Sequence, residues 1–183
     1  MEIVIGISGA SGVQYGIRLL KVLADMKIHT HLIISKSAKQ IIQIETDYSP
    51  LEVEELASEV YGEKDFTASI ASGSHIFDGM IIAPCSMKTL GSISSGISDN
   101  LMTRSADVCL KEGRKLILMT RETPLSRIHL ENMLRAQQAG AVILPASPGF
   151  YSKPQTIEDL VNIMAGRALD QMGIKNELFK RWG

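Results

Sequence analysis

The stretch Ile3-Val4-Ile5-Gly6-Ile7-Ser8-Gly9-Ala10-Ser11-Gly12 decides the fold. Its first half is a short apolar run ending beside glycine, the pattern of a parallel strand buried on both faces. Its second half is made of small residues, which let the backbone come close to a ligand. Beyond it Val13, Ile17, Leu20 and Ala24 recur at i, i+4, i+7 and i+11 and predict a helix with one apolar face. A strand, a glycine turn and a helix in this order open an α/β unit, and the N-terminus of such a helix favours an anion.

The alternation continues. Apolar runs at 31–34, 79–83, 115–119 and 141–144 predict four more strands. Helical periodicity appears from Ser35 to about Glu45, over 86–95, 99–112 and 125–139, and in the last helix around Ile157, Leu160, Val161, Met164, Ala168 and Met172. Residues 50–61, with Glu52, Glu54, Glu55 and Glu59, read as a solvated helix. At least five strands separated by helices imply an α/β fold, a Rossmann-like parallel sheet with helices on both faces. The 183 residues fit a single domain spanning 1–183, with no repeat, linker or low-complexity tract. Ligands of such sheets bind beyond the carboxyl ends of the strands.

Composition removes several functions. Lys plus Arg is 19 and Asp plus Glu is 20, so the net charge is 19 − 20 = −1, and no nucleic-acid footprint exists. Cys85 and Cys109 are the only cysteines, too few for a disulfide scaffold or a structural zinc cluster, and a reducing, cytoplasmic habitat is expected. No apolar run reaches membrane-span length, and the N-terminus has no basic region typical of a secretory signal. His75 and His129 are expected as packing or surface residues, without a metal-ligand partner at useful spacing, and no metal site is expected.

The residues past each strand carry the chemistry. Gly6, Gly9 and Gly12 are spaced G-x-x-G-x-x-G rather than in the dinucleotide fingerprint, and the second strand ends in Ser35-Lys36 without the carboxylate that would hold the ribose of NAD. A phosphate or mononucleotide site fits this turn, as does a tight turn with no ligand. Ser86 in Pro84-Cys85-Ser86-Met87-Lys88-Thr89 is placed as a helix N-cap. Lys88 then lies in a first turn, where the helix dipole disfavours a cation unless an anion is bound. Cys85 reads as a core residue. Arg121-Glu122 follows the fourth strand, either beside a ligand or as a structural ion pair. Pro145 to Tyr151 form a rigid loop with two aromatics. Arg104 and Lys111, seven apart, share one helix face, and Arg167 sits in the last helix. Each cation alone fits a solvated side chain. Leu101, Met102, Val108, Cys109 and Leu110 surround much of the 99–112 helix, more apolar surface than one sheet face covers, which motivates an oligomer.

Taken in order, these segments resemble the UbiX-type flavin prenyltransferases over essentially the whole chain. The similarity runs through Gly6–Gly12, Leu32–Lys36, Pro84–Leu90, Leu101–Asp107, Leu110–Gly113, Arg121–Leu125, His129–Met133, Pro148–Tyr151 and Gly166–Gln171. The accessory subunit of hydroxyarylic acid decarboxylases is a close relative. The resemblance implies FMN binding, a homododecamer built of trimers with sites at subunit interfaces, and transfer of a dimethylallyl group from dimethylallyl phosphate to N5 and C6 of reduced FMN. The product, prenylated FMN, would serve a UbiD-type decarboxylase. It places Gly9, Ala10, Ser11, Ser35, Ser86, Met87, Lys88, Thr89 and Arg121 at FMN. Arg104, Lys111, Arg121, Glu122, Tyr151 and Arg167 fall at the prenyl phosphate, and Ser11, Glu45 and Trp182 near the reacting flavin.

The chemistry agrees with that assignment. Cleaving an allylic C–O bond expels phosphate, and in a chain without an Asp-rich metal motif preorganised cations take the metal's place on the leaving group. Tyr151 can donate a hydrogen bond to the same group, and aromatic faces such as Trp182 stabilise an allylic cation. Glu45 or the released phosphate is the base. Rival readings are a flavin-dependent cysteine decarboxylase, whose catalytic His and PASANT-like motif have no match here, an FMN carrier needing only the flavin site, and a direct hydroxybenzoate decarboxylase.

Overall fold

The computed structural model describes residues 1–183. Six parallel strands form one sheet: β1 Glu2–Ile7, β2 His29–Ile34, β3 Glu59–Tyr61, β4 Gly79–Cys85, β5 Lys115–Thr120 and β6 Val142–Ile143. Their spatial order is β3-β2-β1-β4-β5-β6, and every neighbouring pair runs parallel. The chain reverses its direction of winding between β1 and β4, which opens a crevice at their carboxyl ends. Helices α1 Val13–Asp25, α2 Lys36–Glu45, α3 Pro50–Glu54, α4 Met87–Ser94, α5 Leu101–Lys111, α6 Arg127–Gln138 and α7 Ile157–Met172 complete the fold.

Alternation along β1 explains the layers. Ile3, Ile5 and Ile7 enter a core with Leu20, Leu23, Leu169 and Met172 from α1 and α7. Val4 joins a second core on the other face with Ile82, Leu101 and Met102. Gly6 fits closely there, since a Cβ would stand 3.2 Å from Met102 Cγ and push that side chain aside.

Two expectations change. The acidic stretch 50–61 is a five-residue helix followed by an edge strand. Ser49 and Glu52 close a capping box around Pro50, which starts α3. Glu59, Val60 and Tyr61 then pair with His31, Leu32 and Ile33. A short, charged strand suits an exposed edge because it discourages pairing with another chain. The apolar girdle of α5 is also covered within the chain. Leu101, Met102, Val108 and Cys109 are all buried, because α5 packs against the sheet, α4 and the 69–71 turn. Exposed apolar residues stand instead on α6, at Ile128, Leu130 and Leu134.

Candidate functional site

Three loops meet at the crevice, and one buried side chain ties two of them. Ser8 donates its backbone N–H and its hydroxyl to the Pro84 carbonyl, at 3.2 and 2.8 Å. Its Oγ accepts the Ser86 N–H at 2.8 Å. The loops after β1 and β4 are thereby locked together. Gly9 lies so close to α2 that a Cβ would fall 2.1 Å from Ser37 Oγ. Ala10 is buried behind it and Ser11 is exposed at the tip of the turn.

Ser35 and Ser86 cap α2 and α4. Ser35 Oγ accepts Ala38 N–H at 3.1 Å and Ser86 Oγ accepts Thr89 N–H at 3.3 Å. Both helix N-termini therefore face the same crevice, where their unpaired N–H groups favour an anion. Lys88 is exposed in the first turn of α4 and has no carboxylate within 4 Å. Gly9, Ser35, Ser37, Glu63, Ser86, Lys88 and Asn100 line the resulting polar cleft with Met102 beneath. Met87 and Thr89 flank it, half-buried.

Glu45 ends α2 beside the glycine turn. Its Oε2 accepts the N–H of Gly12, whose φ of 98° is left-handed, at 2.8 Å. Gly12 gives α1 no side-chain cap, so the Glu45 carboxylate supplies the negative charge that the helix start favours.

A second cavity, of about 260 Å³, lies beyond β5 between Arg121, Glu122, Met133, Pro145 and Ser147. Two buried polar atoms beside it, Thr120 Oγ1 and Arg121 Nε, have no hydrogen-bond partner. Such orphans are costly unless a ligand or water pairs them. The Arg121 charge also reaches Tyr15, whose hydroxyl burial pushes up and Arg121 partly restores. Glu122 does not pair with Arg121; its Oε1 accepts the Thr123 N–H at 3.0 Å, which disposes of the structural ion pair.

Tyr151 and Trp182 meet edge to face at 5.5 Å. Trp182 remains 82% exposed. The tail that carries it crosses α7, where Phe179 lies over Gly166 at a place with no room for a Cβ. Arg181 grips Asp170 through two hydrogen bonds of 3.0 and 2.8 Å, and this holds the Asp170 carboxyl below the usual range. Arg167 stands 3.5 Å from the same Asp170.

Arg104 and Lys111 are engaged by the 71–73 segment and neighbouring acids, and neither lines the Arg121 cavity. Arg104 donates Nε to the Ala71 carbonyl at 3.0 Å and pairs with Asp107 at 2.8 Å. Lys111 pairs with Glu112 beside Gly73. A single chain thus gathers the serine-lined cleft and Arg121, and keeps Arg104 and Lys111 apart from them. Cys85 and Cys109 are core residues, and burial pushes both thiols up to about 12.

Sequence reasoning missed Ser8, Ser37, Glu63 and Asn100. Asn100 was legible as the N-cap of α5, where it forms a capping box with Thr103. The other three carry no local signal, since only tertiary packing aims them at the cleft. The largest hollow, about 860 Å³, lies between the end of α7 and the tail, lined by Met26, Asp170, Asn176 and Arg181. No strand-end loop contributes to it, so it is not the site.

A family model described as Flavoprotein matches residues 1–169. The flavin prenyltransferase UbiX of Methanothermobacter thermautotrophicus is 52% identical over 180 residues, covering 98% of this chain and 94% of that one. The chain belongs to the UbiX flavin prenyltransferase family. Solved structures of this family superimpose closely. AnUbiX in complex with FMN and dimethylallyl pyrophosphate matches with a TM-score of 0.98 at 49% identity, covering 100% of this chain and 97% of that one. A dodecameric FMN-dependent UbiX-like decarboxylase from Escherichia coli O157:H7 matches with a TM-score of 0.98 at 47% identity, over 100% of both chains. The cleft of this UbiX-family chain, about 40 Å³, has the donors and the size for the phosphate end of a flavin mononucleotide. It offers two helix N-termini, several hydroxyls and an unpaired lysine for a phosphate, and the separate cavity beyond β5 holds the orphaned Arg121 Nε.

Proposed function

We propose that this chain, acting as a single flavin-binding domain, transfers a dimethylallyl group from dimethylallyl phosphate to N5 and C6 of reduced FMN. The product is prenylated FMN for a UbiD-type decarboxylase. One observation supports the reading: beside the serine-lined cleft, the next strand end carries an arginine with a buried, unpaired Nε, and its backbone N–H donates to the Cys85 carbonyl, one residue before Ser86, at 3.3 Å. A flavin carrier needs only the cleft; a transferase also needs a site for an anionic leaving group.

Reduced FMN supplies the nucleophilic atoms. Ser35, Ser86, Lys88, Thr89 and the turn Gly9-Ala10-Ser11 hold its phosphate end, with Met87 beside it. Arg121 lines the cavity beyond β5 and would reach from there toward the flavin. Arg104, Lys111, Arg121 and Arg167, aided by Tyr151 and Glu122, hold the leaving phosphate and stabilise the charge it gains as the C–O bond breaks. Trp182 offers an aromatic face to the cationic allyl fragment. Glu45 lies at the glycine turn, poised to take a proton.

Arg104 and Lys111 reach that phosphate when they come from a neighbouring subunit. The dodecameric relative and the exposed Ile128, Leu130 and Leu134 of α6 support a homododecamer with shared sites. The protein works in the cytoplasm on this reading. Its cysteines are free and buried, and no helix is long and apolar enough to cross a membrane.

The test is a mass spectrum of the flavin after anaerobic incubation of the chain with reduced FMN and dimethylallyl phosphate. A gain of one five-carbon unit is expected. An unchanged flavin, with dimethylallyl diphosphate offered as well, would leave the carrier.

A further inference from the structure

At the end of the sheet away from the cleft, three potential metal ligands converge from parts of the chain far apart in sequence. Glu2 opens β1, His31 lies in β2, and His75 belongs to the segment before β4. Glu2 Oε2 stands 3.2 Å from His31 Nε2 and 3.3 Å from His75 Nε2. All three ligand atoms lie within 4.8 Å of one another. Ligands bound tetrahedrally to zinc at about 2.0–2.1 Å are separated by roughly 3.3 Å, the edge of the tetrahedron. The two measured pairs sit at that edge length.

The hydrogen-bond network fixes which ring atom of His31 faces the cluster. Tyr61 donates its one hydroxyl proton to Glu59 Oε2 at 2.5 Å. Its oxygen, 3.2 Å from His31 Nδ1, must then accept, so Nδ1 carries the proton. With Nδ1 protonated, Nε2 meets the Glu2 carboxylate at 3.2 Å either through a second proton on the ring or, as a lone pair, through a cation shared with the carboxylate. His75 Nε2 adds a second, independent sign: it is buried and has no hydrogen-bond partner. His31 itself is 2% exposed. A ligating imidazole held through its other nitrogen by a hydroxyl and a carboxylate is the usual outer shell of a metal site.

We propose that Glu2, His31 and His75 form a binding site for a zinc-class divalent metal, with water in the fourth position. Two imidazoles and one carboxylate suit zinc better than calcium or magnesium, which prefer oxygen ligands. The sequence spacing pointed away from this, because no two ligands share a helix turn or a local motif. Bound metal would clip the 72–78 segment to β1 and β2. Arg114 already holds that segment by donating to the Gly73 carbonyl at 2.7 Å and stacking on Phe77. The site is distant from the flavin cleft, so its work is structural.

Calorimetric titration of zinc chloride into the chelator-dialysed full chain tests the proposal. One zinc per chain is expected, with a rise in Tm. His75→Ala, a half-exposed loop change, is expected to weaken zinc at least tenfold and abolish the Tm rise while FMN binding and prenyl transfer stay unchanged. Glu2→Gln is expected to weaken zinc similarly. No saturation below millimolar zinc overturns the site, as does undiminished binding by His75→Ala. Loss of binding in Glu59→Gln but not in His75→Ala would move the metal to the neighbouring His29–His31–Glu59 group and overturn this assignment.

Discussion

The cleft after β1, β2 and β4 is finished within one chain, whereas the cations of α5, α7 and the loop after β5 are scattered. Ser86 donates to Ser8, Ser35 donates its backbone N–H to the Ile7 carbonyl at 3.0 Å, and Ser35 and Ser86 each cap a helix, which makes a fixed cradle. Arg104 and Lys111 are each already occupied by a neighbouring acid, and Arg167 shares Asp170 with the tail. A parallel sheet brings its strand ends together wherever the chain winds, so a phosphate cradle comes with the fold. A cluster of four like charges does not, because holding it ready in one chain would cost folding free energy. Dividing it among subunits, as the proposed assembly does, would defer that repulsion until assembly and substrate offset it.

If the two regions are separable, damage to one should spare the other. Arg167→Ala removes one cation from the leaving group, and the rate of flavin alkylation is expected to fall by about 30- to 1,000-fold, on the order of 2–4 kcal/mol. FMN affinity, followed by fluorescence titration, should stay within twofold. An equal loss in both would merge the regions.

Ser86→Ala should act in the reverse sense. It removes a hydroxyl from the phosphate and the cap from α4, and FMN is expected to bind about 10- to 100-fold more weakly. Turnover at saturating flavin should change far less. Next in size is Ser8→Ala, which strands the half-buried Ser86 N–H and lowers stability by about 1–3 kcal/mol in chemical denaturation, weakening FMN alongside.

The smallest effect belongs to the tail. The Arg181 hydrogen bonds hold Asp170 below the ordinary carboxylate range. Its contribution is therefore complete above about pH 4 and is lost as the pH falls through the depressed value. Trp182 is the single tryptophan, so its fluorescence should report tail release on acidification, and Asp170→Asn should show the released signal already at neutral pH. A tail that stays docked in the variant would show that Phe179 on Gly166 suffices.

Much of this was readable from the residue order. The alternation in Ile3–Ile7, the glycine turn and the helical period from Val13 specified β1, the cradle and α1, because each rests on local periodicity. The edge strand β3 escaped because three residues carry too little pattern to outweigh four glutamates nearby. The cradle serines Ser35 and Ser86 were legible as caps. Ser8 was not, since its inward direction follows from the pairing of β1 with β4. For the cations the types were legible and the places were not: a seven-residue spacing puts Arg104 and Lys111 on one face of α5 without saying what that face meets.

The burial of Cys85 and Cys109 has a consequence for life in air. Reduced flavin that meets oxygen yields hydrogen peroxide, which attacks thiolates within reach. Here both thiols are sealed in the core and held protonated, at about 12. Stray peroxide from this enzyme's own cofactor therefore finds no thiolate to oxidise, and the chain can handle a strong reductant without a repair partner for its cysteines.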